Sequence, residues 1–272
     1  MLTTLLLLLA AFLACACALG FDPAFLRAGL WIFLGFAALN ILFVIFWVAV
    51  AQTVDDSKPI ERQKPIYRLG VAIIAGWLCW WARVRVKLSG ADKLPGEGRF
   101  VLICNHRSGF DPVVTAAKLR AFNLCFISKP SNLKLPYVGK LAYGAGFLPI
   151  DRANDRAALK TILTAADYLK KGFCSMVIYP EGTRSRTGAL LPFHAGSFKI
   201  AQKAGVPLAI ACVSGTDRIR HRWLFHSTKV ELRILELLPA DRVKAMSTQD
   251  LAAYSKGKIE EALGLEHGEA EA

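Results

Sequence analysis

His106 and Asp111 stand five positions apart in Asn105-His106-Arg107-Ser108-Gly109-Phe110-Asp111. An imidazole can take a proton from an alcohol. A carboxylate at its other ring nitrogen would fix the tautomer and stabilise the imidazolium that forms. General-base work of this kind contributes about 10²–10⁴ in rate. The spacing sets a condition. In an extended strand the two side chains would lie roughly 16 Å apart, and in a helix five residues turn about 500°, which leaves them on different faces. Only a bend brings them together. Ser108 and Gly109 are turn residues, and Asp111-Pro112 reads as a helix N-cap followed by proline at the first helical position. His106 is therefore expected in a loop after a strand, with Asp111 opening the next helix. In isolation such a pair is more often a loop histidine and a capping aspartate, so the remaining motifs decide.

A second polar cluster follows the apolar run 174–179: Pro180-Glu181-Gly182-Thr183-Arg184-Ser185-Arg186. A strand feeding a Gly/Thr turn exposes backbone N–H groups, and the planar guanidinium of Arg184 suits a phosphate. Glu181 is expected to hold that guanidinium in place. Gly146-Phe147-Leu148-Pro149-Ile150-Asp151-Arg152 ends a shorter run with another arginine. Each charge-assisted contact is worth about 1.5–3 kcal/mol, so Arg152 and Arg184 on one phosphate would select it over a neutral headgroup. The plainer alternative makes them surface ion pairs with Asp151 and Glu181.

These groups need a scaffold. Strand-like runs cover 84–88, 100–104, 124–127, 147–150, 174–179, 208–213 and 228–235. Helical patterns cover 112–119, 155–171, 196–204 and 248–263. Such alternation predicts an α/β domain over 84–258, a mixed sheet covered by helices. Residues 259–272 read as an acidic, flexible tail.

Ahead of this domain the chain is apolar. Hydrophobic residues make up 54% of its 272 residues, and mean hydropathy is +0.38. Up to Val54 the charged side chains are Asp22 and Arg27, so the net charge of +13 belongs to residues 55–272. A basic domain behind an apolar leader is drawn to anionic headgroups and phosphorylated substrates. No nucleic-acid-binding motif is present, and nucleic acid is not expected as a partner. Residues 2–19 and 30–51 predict a transmembrane helical hairpin over 1–54, linked by 20–29; a secretory leader is the competing reading of 2–19. At 1.5 Å per residue, 30–51 spans about 33 Å, enough to cross a bilayer core. Lys58, Arg62, Lys64 and Arg68 come after it, so by the positive-inside tendency an integral membrane protein with its α/β domain on the cytoplasmic side is expected. Within 55–83, the run 66–82 carries Trp77, Trp80 and Trp81 ahead of Arg83, Arg85 and Lys87. That is the composition of an interfacial or re-entrant helix, with a buried core helix as the alternative. The seven cysteines form no paired metal-ligand motif, and Cys104, Cys125, Cys174 and Cys212 lie in strand-like runs. They are expected as buried free thiols.

The motifs in order are Asn105-His106 to Asp111, Phe147 to Arg152, Tyr179-Pro180-Glu181-Gly182-Thr183-Arg184, and Val206-Pro207. Together they resemble the 1-acylglycerol-3-phosphate acyltransferase family, within the glycerolipid acyltransferase superfamily. The resemblance implies acyl transfer from acyl-CoA or acyl-acyl-carrier-protein to the sn-2 hydroxyl of lysophosphatidic acid, giving phosphatidic acid. It implies His106 as catalytic base and Asp111 as its partner, with Arg152, Glu181, Gly182, Thr183 and Arg184 binding the acceptor. No metal or cofactor is implied. With no G-x-S-x-G elbow in the sequence, direct attack without an acyl-enzyme is expected. Backbone N–H groups near the base or the Gly182 turn would stabilise the oxyanion. Three departures bear on pocket shape: Tyr179 stands where phenylalanine is common, Leu208-Ala209-Ile210-Ala211 lacks a second proline, and family members often carry a basic residue near the place of His194. Glycerol 3-phosphate or another lysophospholipid is the alternative acceptor. A silent adaptor that binds anionic lipid is the alternative from another class.

Overall fold

The computed structural model describes residues 20, 22–58, 60, 64–151, 153–185, 188–219 and 227–265. The chain divides into two compact units, Met1–Val50 and Ala51–Ala272.

The first unit holds nearly all of helix α1, Pro23–Gln52. Its stretch Leu26–Gln52 is long and apolar enough to cross a membrane, and Trp31, Ile32, Leu39 and Leu42 are exposed on it. The helix starts earlier than expected. Asp22 Oδ1 accepts the N–H of Ala24 at 2.7 Å, and Pro23 brings a preset φ, so most of the predicted link 20–29 is helical. The first half of the predicted hairpin, 2–19, lies outside the described residues.

The second unit opens with α2, Pro65–Trp81. This helix has one buried and one exposed face. Tyr67, Gly70, Ala75 and Cys79 are buried, while Ile66, Leu69, Ile73, Trp80 and Trp81 are exposed.

Seven strands come next: β1 (Val84–Ser89), β2 (Val101–Cys104), β3 (Leu124–Ser128), β4 (Leu148–Pro149), β5 (Ser175–Ile178), β6 (Leu208–Ser214) and β7 (Thr228–Leu238). They form one mixed sheet in the order β1-β7-β6-β2-β5-β3-β4. From β6 to β4 all neighbours are parallel, and β7 runs antiparallel to β6. The central strands are buried on both faces, which is why they read as unbroken apolar runs. Alternate residues feed two cores. Val101, Ile103, Met176, Ile178 and Ile210 point to one, and Leu102, Cys104, Val177, Ala209 and Ala211 to the other. Edge strand β1 alternates half-buried and exposed residues, with Arg85 and Lys87 on its exposed side, as an unpaired edge requires.

The helices after β1 are α3 (Asp111–Lys118), α4 (Pro130–Leu133), α5 (Val138–Gly144), α6 (Asp155–Lys170) and α7 (Lys199–Ala204) between strands, and α8 (Ala240–Ala245) and α9 (Thr248–Leu263) beyond β7. The predicted helix 196–204 is a 3-10 turn, Ala195–Phe198, running into α7. Short helices α4, α5 and α8 have no counterpart in the helical patterns of the sequence. Cys79, Cys104, Cys125, Cys174 and Cys212 are buried free thiols; Cys15 and Cys17 lie outside the described residues.

Candidate active site

Strands β2 and β5 are parallel neighbours, so the loops leaving their C-terminal ends lie side by side. After β2, Asn105 is fully buried. Its side chain accepts the N–H of Val213 at 2.8 Å and donates to the Val213 carbonyl at 3.0 Å. Those bonds tie the chain to the neighbouring β6 just before His106.

The loop then bends as its turn residues require. The Asp111 N–H donates to the Ser108 carbonyl at 3.1 Å, and His106 Nδ1 meets Asp111 Oδ2 at 2.8 Å. The same carboxylate oxygen accepts the backbone N–H groups of Arg107 and Ser108, each at 2.7 Å. Asp111 meets the imidazole and opens the helix as expected, and differs only in its capping part. It is the first residue of α3, and its carboxylate turns back onto the preceding loop instead of capping the helix. The His106 side chain keeps 19% exposure and the Asp111 side chain 0%. Nε2 of His106 has no hydrogen-bond partner among the described residues, so it is the nitrogen placed to accept a proton.

Sequence reasoning missed a further contact. Thr216 donates its hydroxyl to Asp111 Oδ1 at 2.5 Å, and both residues are fully buried. Thr216 follows Gly215, whose φ is +85° and whose Cβ, if it had one, would stand 2.5 Å from the Lys229 carbonyl oxygen. Only glycine fits that turn. A Ser-Gly-Thr sequence ending an apolar run is a turn signal, but nothing in it names Asp111 as the partner.

The ring of Tyr179 stacks on His106 at 4.6 Å between centroids and 27° between planes. Its hydroxyl pairs with Thr115 Oγ1 at 3.3 Å. Burial pushes the phenol well above its ordinary pKa, so this group stays neutral. Burial likewise pushes up the thiol of Cys104, at the end of β2; a neutral buried thiol is a poor nucleophile.

Glu181 is where the structure corrects the sequence most. Its buried carboxylate accepts the N–H of His106 at 2.6 Å through Oε1 and the N–H of Leu191 at 3.0 Å through Oε2. No ion pair with Arg184 is found among the described residues. Burial raises the Glu181 carboxyl above its ordinary pKa, against the pull of those two hydrogen bonds. The Gly182 N–H closes a turn onto the Tyr179 carbonyl at 3.1 Å. It is not free for an oxyanion, and neither are the N–H groups of His106, Arg107 and Ser108. Those of Gly109, Thr183 and Arg184 have no partner among the described residues. Thr183 and Arg184 are exposed, and Arg184 Nη1 lies 3.9 Å from where a Cβ on Gly109 would stand. The guanidinium therefore faces the histidine loop. Arg107 donates its own guanidinium to the Gly188 carbonyl, joining that loop to the segment after Arg184. Arg152, His221 and His226 lie outside the described residues.

A family model described as "Acyltransferase" matches residues 85–214. A 1-acyl-sn-glycerol-3-phosphate acyltransferase of Salmonella typhimurium is 35% identical over 167 residues, 60% of this chain and 66% of that protein. The Escherichia coli protein of the same name is 34% identical over 164 residues, with 60% and 66% covered. The one from Haemophilus influenzae is 31% identical over 164 residues, with 60% and 67% covered. The matches thus span about two thirds of each relative, just under that share in the first two. Among solved structures, a 1-acyl-sn-glycerophosphate (LPA) acyltransferase from Thermotoga maritima superposes with a TM-score of 0.63 at 22% identity. That superposition covers 85% of this chain and 92% of the other, so the two share a fold.

Proposed function

This chain belongs to the acyltransferase family, and on that premise we propose that it moves a fatty acyl chain from an acyl thioester to the sn-2 hydroxyl of 1-acylglycerol 3-phosphate, giving phosphatidic acid. The observation that carries the reading is the 2.8 Å pair between His106 Nδ1 and buried Asp111. With Nδ1–H held by the carboxylate, Nε2 takes the proton of the acceptor hydroxyl as its oxygen attacks the thioester carbonyl. The tetrahedral intermediate collapses by breaking the carbon–sulfur bond, and the imidazolium returns its proton to the leaving thiolate. Transfer is direct, with no acyl-enzyme. The N–H groups of Gly109, Thr183 or Arg184 supply the oxyanion donors. Arg184, with Arg152, takes the phosphate of the acceptor, and Gly182 and Thr183 shape the turn that presents it. The donor is acyl-CoA or acyl-acyl-carrier-protein, and no metal or cofactor takes part.

The partners and placement follow the same reading. Helix α1 spans a bilayer, α2 lies at headgroup level through its exposed tryptophans, and the basic catalytic domain over 84–258 works on the cytoplasmic side.

The test is His106→Ala in purified protein, with product followed by mass spectrometry from lysophosphatidic acid and mixed thioesters. Phosphatidic acid formation should fall about 10²–10⁴-fold. Retention of most activity would remove His106 as the base. Glycerol 3-phosphate and other lysophospholipids in the same assay would show whether the acceptor is the one proposed.

A further inference from the structure

Between Asp111 and Asp151 the chain has no acidic residue, but it carries Lys118, Arg120, Lys129, Lys134 and Lys140. Within this stretch α4 and α5 are joined by a turn that exposes apolar side chains, an apolar tip between two short helices. Leu135, Tyr137 and Val138 are 51%, 46% and 60% exposed. The tip is held, not loose. The Gly139 N–H donates to the Leu135 carbonyl at 2.9 Å. A Cβ on Gly139 would collide with the Leu133 carbonyl, a closeness only glycine allows. Tyr137 adopts a φ of +59°, a conformation that costs a non-glycine residue about 1–3 kcal/mol in general. An apolar group held out in water on a built turn marks a surface that something covers.

Two placements identify the cover. Strands β2, β5, β3 and β4 run parallel in that order, so their C-terminal ends share one edge of the sheet. His106 and Glu181 leave from that edge, and so do Lys129 and α4. The far end of α5 packs where the chain has just left its most apolar helix. A Cβ on Gly144 would stand 2.8 Å from the Tyr67 ring and 2.9 Å from Val54 Cγ2, and the Tyr143 hydroxyl donates to the Lys58 carbonyl at 2.6 Å. Along α5, Val138 is about 9 Å from Gly144. The tip is therefore a short helix away from the segment that follows α1.

We propose that residues 135–138 dock into the headgroup region of an anionic lipid bilayer, with Lys129, Lys134 and Lys140 on the headgroups. Apolar side chains flanked along the chain by lysine suit such a surface, since burial and attraction to anionic lipid act together. Docking brings the sheet edge that carries His106 to the lipid. The inference rests on the reading that α1 lies in a membrane, and not on the acyl transfer itself.

The experiment uses the full chain in nanodiscs of phosphatidylcholine with or without phosphatidylglycerol, with bromine on the lipid chains as quencher. A fluorophore is attached through Val138→Cys after Cys15→Ser and Cys17→Ser; the other native thiols are buried. Glu97→Cys serves as control, because Glu97 is exposed and precedes β2, at the opposite edge. The label at 138 should be quenched severalfold in anionic discs, less in neutral ones, and not at all at 97. Lys134→Glu should weaken the quenching without touching the apolar tip. Equal quenching at 138 and 97 would overturn the proposal. So would a change in detergent that grows with protein concentration, which would assign the tip to a second copy of the chain. Phosphatidic acid formation in the same discs separates the two readings: quenching without product leaves the docking surface and removes the function, and product without quenching does the reverse.

Discussion

Glu181 Oε1 accepts the backbone N–H of His106 at 2.6 Å, so the carboxylate that reads as an arginine holder instead holds the backbone of the base. Its other oxygen holds Leu191, and the pair of bonds clamps two loops across the end of β5. Glu181→Gln keeps one acceptor and leaves one buried N–H facing an amide. A buried donor left unpaired costs about 1–3 kcal/mol. The expected result is a fall in kcat with little change in the apparent KM for the acceptor. A rise in KM alone would return Glu181 to the acceptor.

Glu181 also predicts a pH effect on stability. Burial raises its folded-state pKa above the unfolded value, so the folded protein binds the proton more tightly. The stability linked to this group is fully present below the ordinary glutamate pKa and is lost as pH rises through the raised one. Thermal melts of wild type should gain from protonation of Glu181 as pH falls through that window. In Glu181→Gln this contribution should vanish, and an unchanged difference between the two proteins across the window would refute it.

Thr216 is the contact that no reading of the chain would have found. Thr216→Val keeps the shape and removes the hydroxyl from Asp111 Oδ1. A hydrogen bond to a charged group is worth about 1.5–3 kcal/mol, and that loss should appear in the unfolding free energy. The freed carboxylate should also orient His106 less well, with kcat falling about tenfold or more and KM nearly unmoved. Thr216→Ser should restore both. A variant that unfolds more easily yet keeps full kcat would confine Thr216 to stability.

Tyr179 separates ring from hydroxyl. The ring lies on His106 at 4.6 Å, while the hydroxyl reaches Thr115 at 3.3 Å. Tyr179→Phe should keep the stack and cost about 1 kcal/mol of stability or less, with activity close to wild type. Tyr179→Ala opens a cavity beside the imidazole and should cost about 3–5 kcal/mol, as large aromatic truncations do. Stability curves and kcat for both variants read the difference. Equal effects would mean the hydroxyl, and not the stacked ring, matters at this position.

Local signals were legible in the chain, and long-range ones were not. All seven strands were legible: β2, β5 and β6 are buried on both faces and leave unbroken apolar runs, while β1 and β7 alternate apolar with exposed polar residues. The bend from His106 to Asp111 was legible because Ser108, Gly109 and Pro112 act within a few residues. Strand order was not, since it arises from pairing between runs far apart in sequence. The partners of Asn105, Glu181 and Asp111 on Val213, His106 and Thr216 depend on that order, so they stayed invisible. Asp22-Pro23 carries the same start signal as Asp111-Pro112, yet Gly20 and Gly29 point toward a loop. In Val138–Gly144 two glycines in seven residues hid a helix, although Gly139 and Gly144 are there for close packing.

Arg184 carries the last prediction, because its two expected partners part company. The structure removes Glu181 as its holder and leaves the guanidinium exposed beside Gly109, 3.9 Å from the place of a Cβ there. It is therefore poised over the histidine loop with its charge available to an anion. A charge-assisted bond to phosphate is worth about 1.5–3 kcal/mol, which corresponds to roughly 10–150-fold in affinity. Arg184→Ala should raise the apparent KM for lysophosphatidic acid by that order and leave folding unaffected, since the side chain is exposed. Acyl transfer to an acceptor without phosphate should change little. Arg184→Lys keeps the charge but loses the planar fork, so it should recover only part of the affinity. If Arg184→Ala lowered transfer equally for acceptors with and without phosphate, the arginine would be acting on the histidine loop and not on the anion.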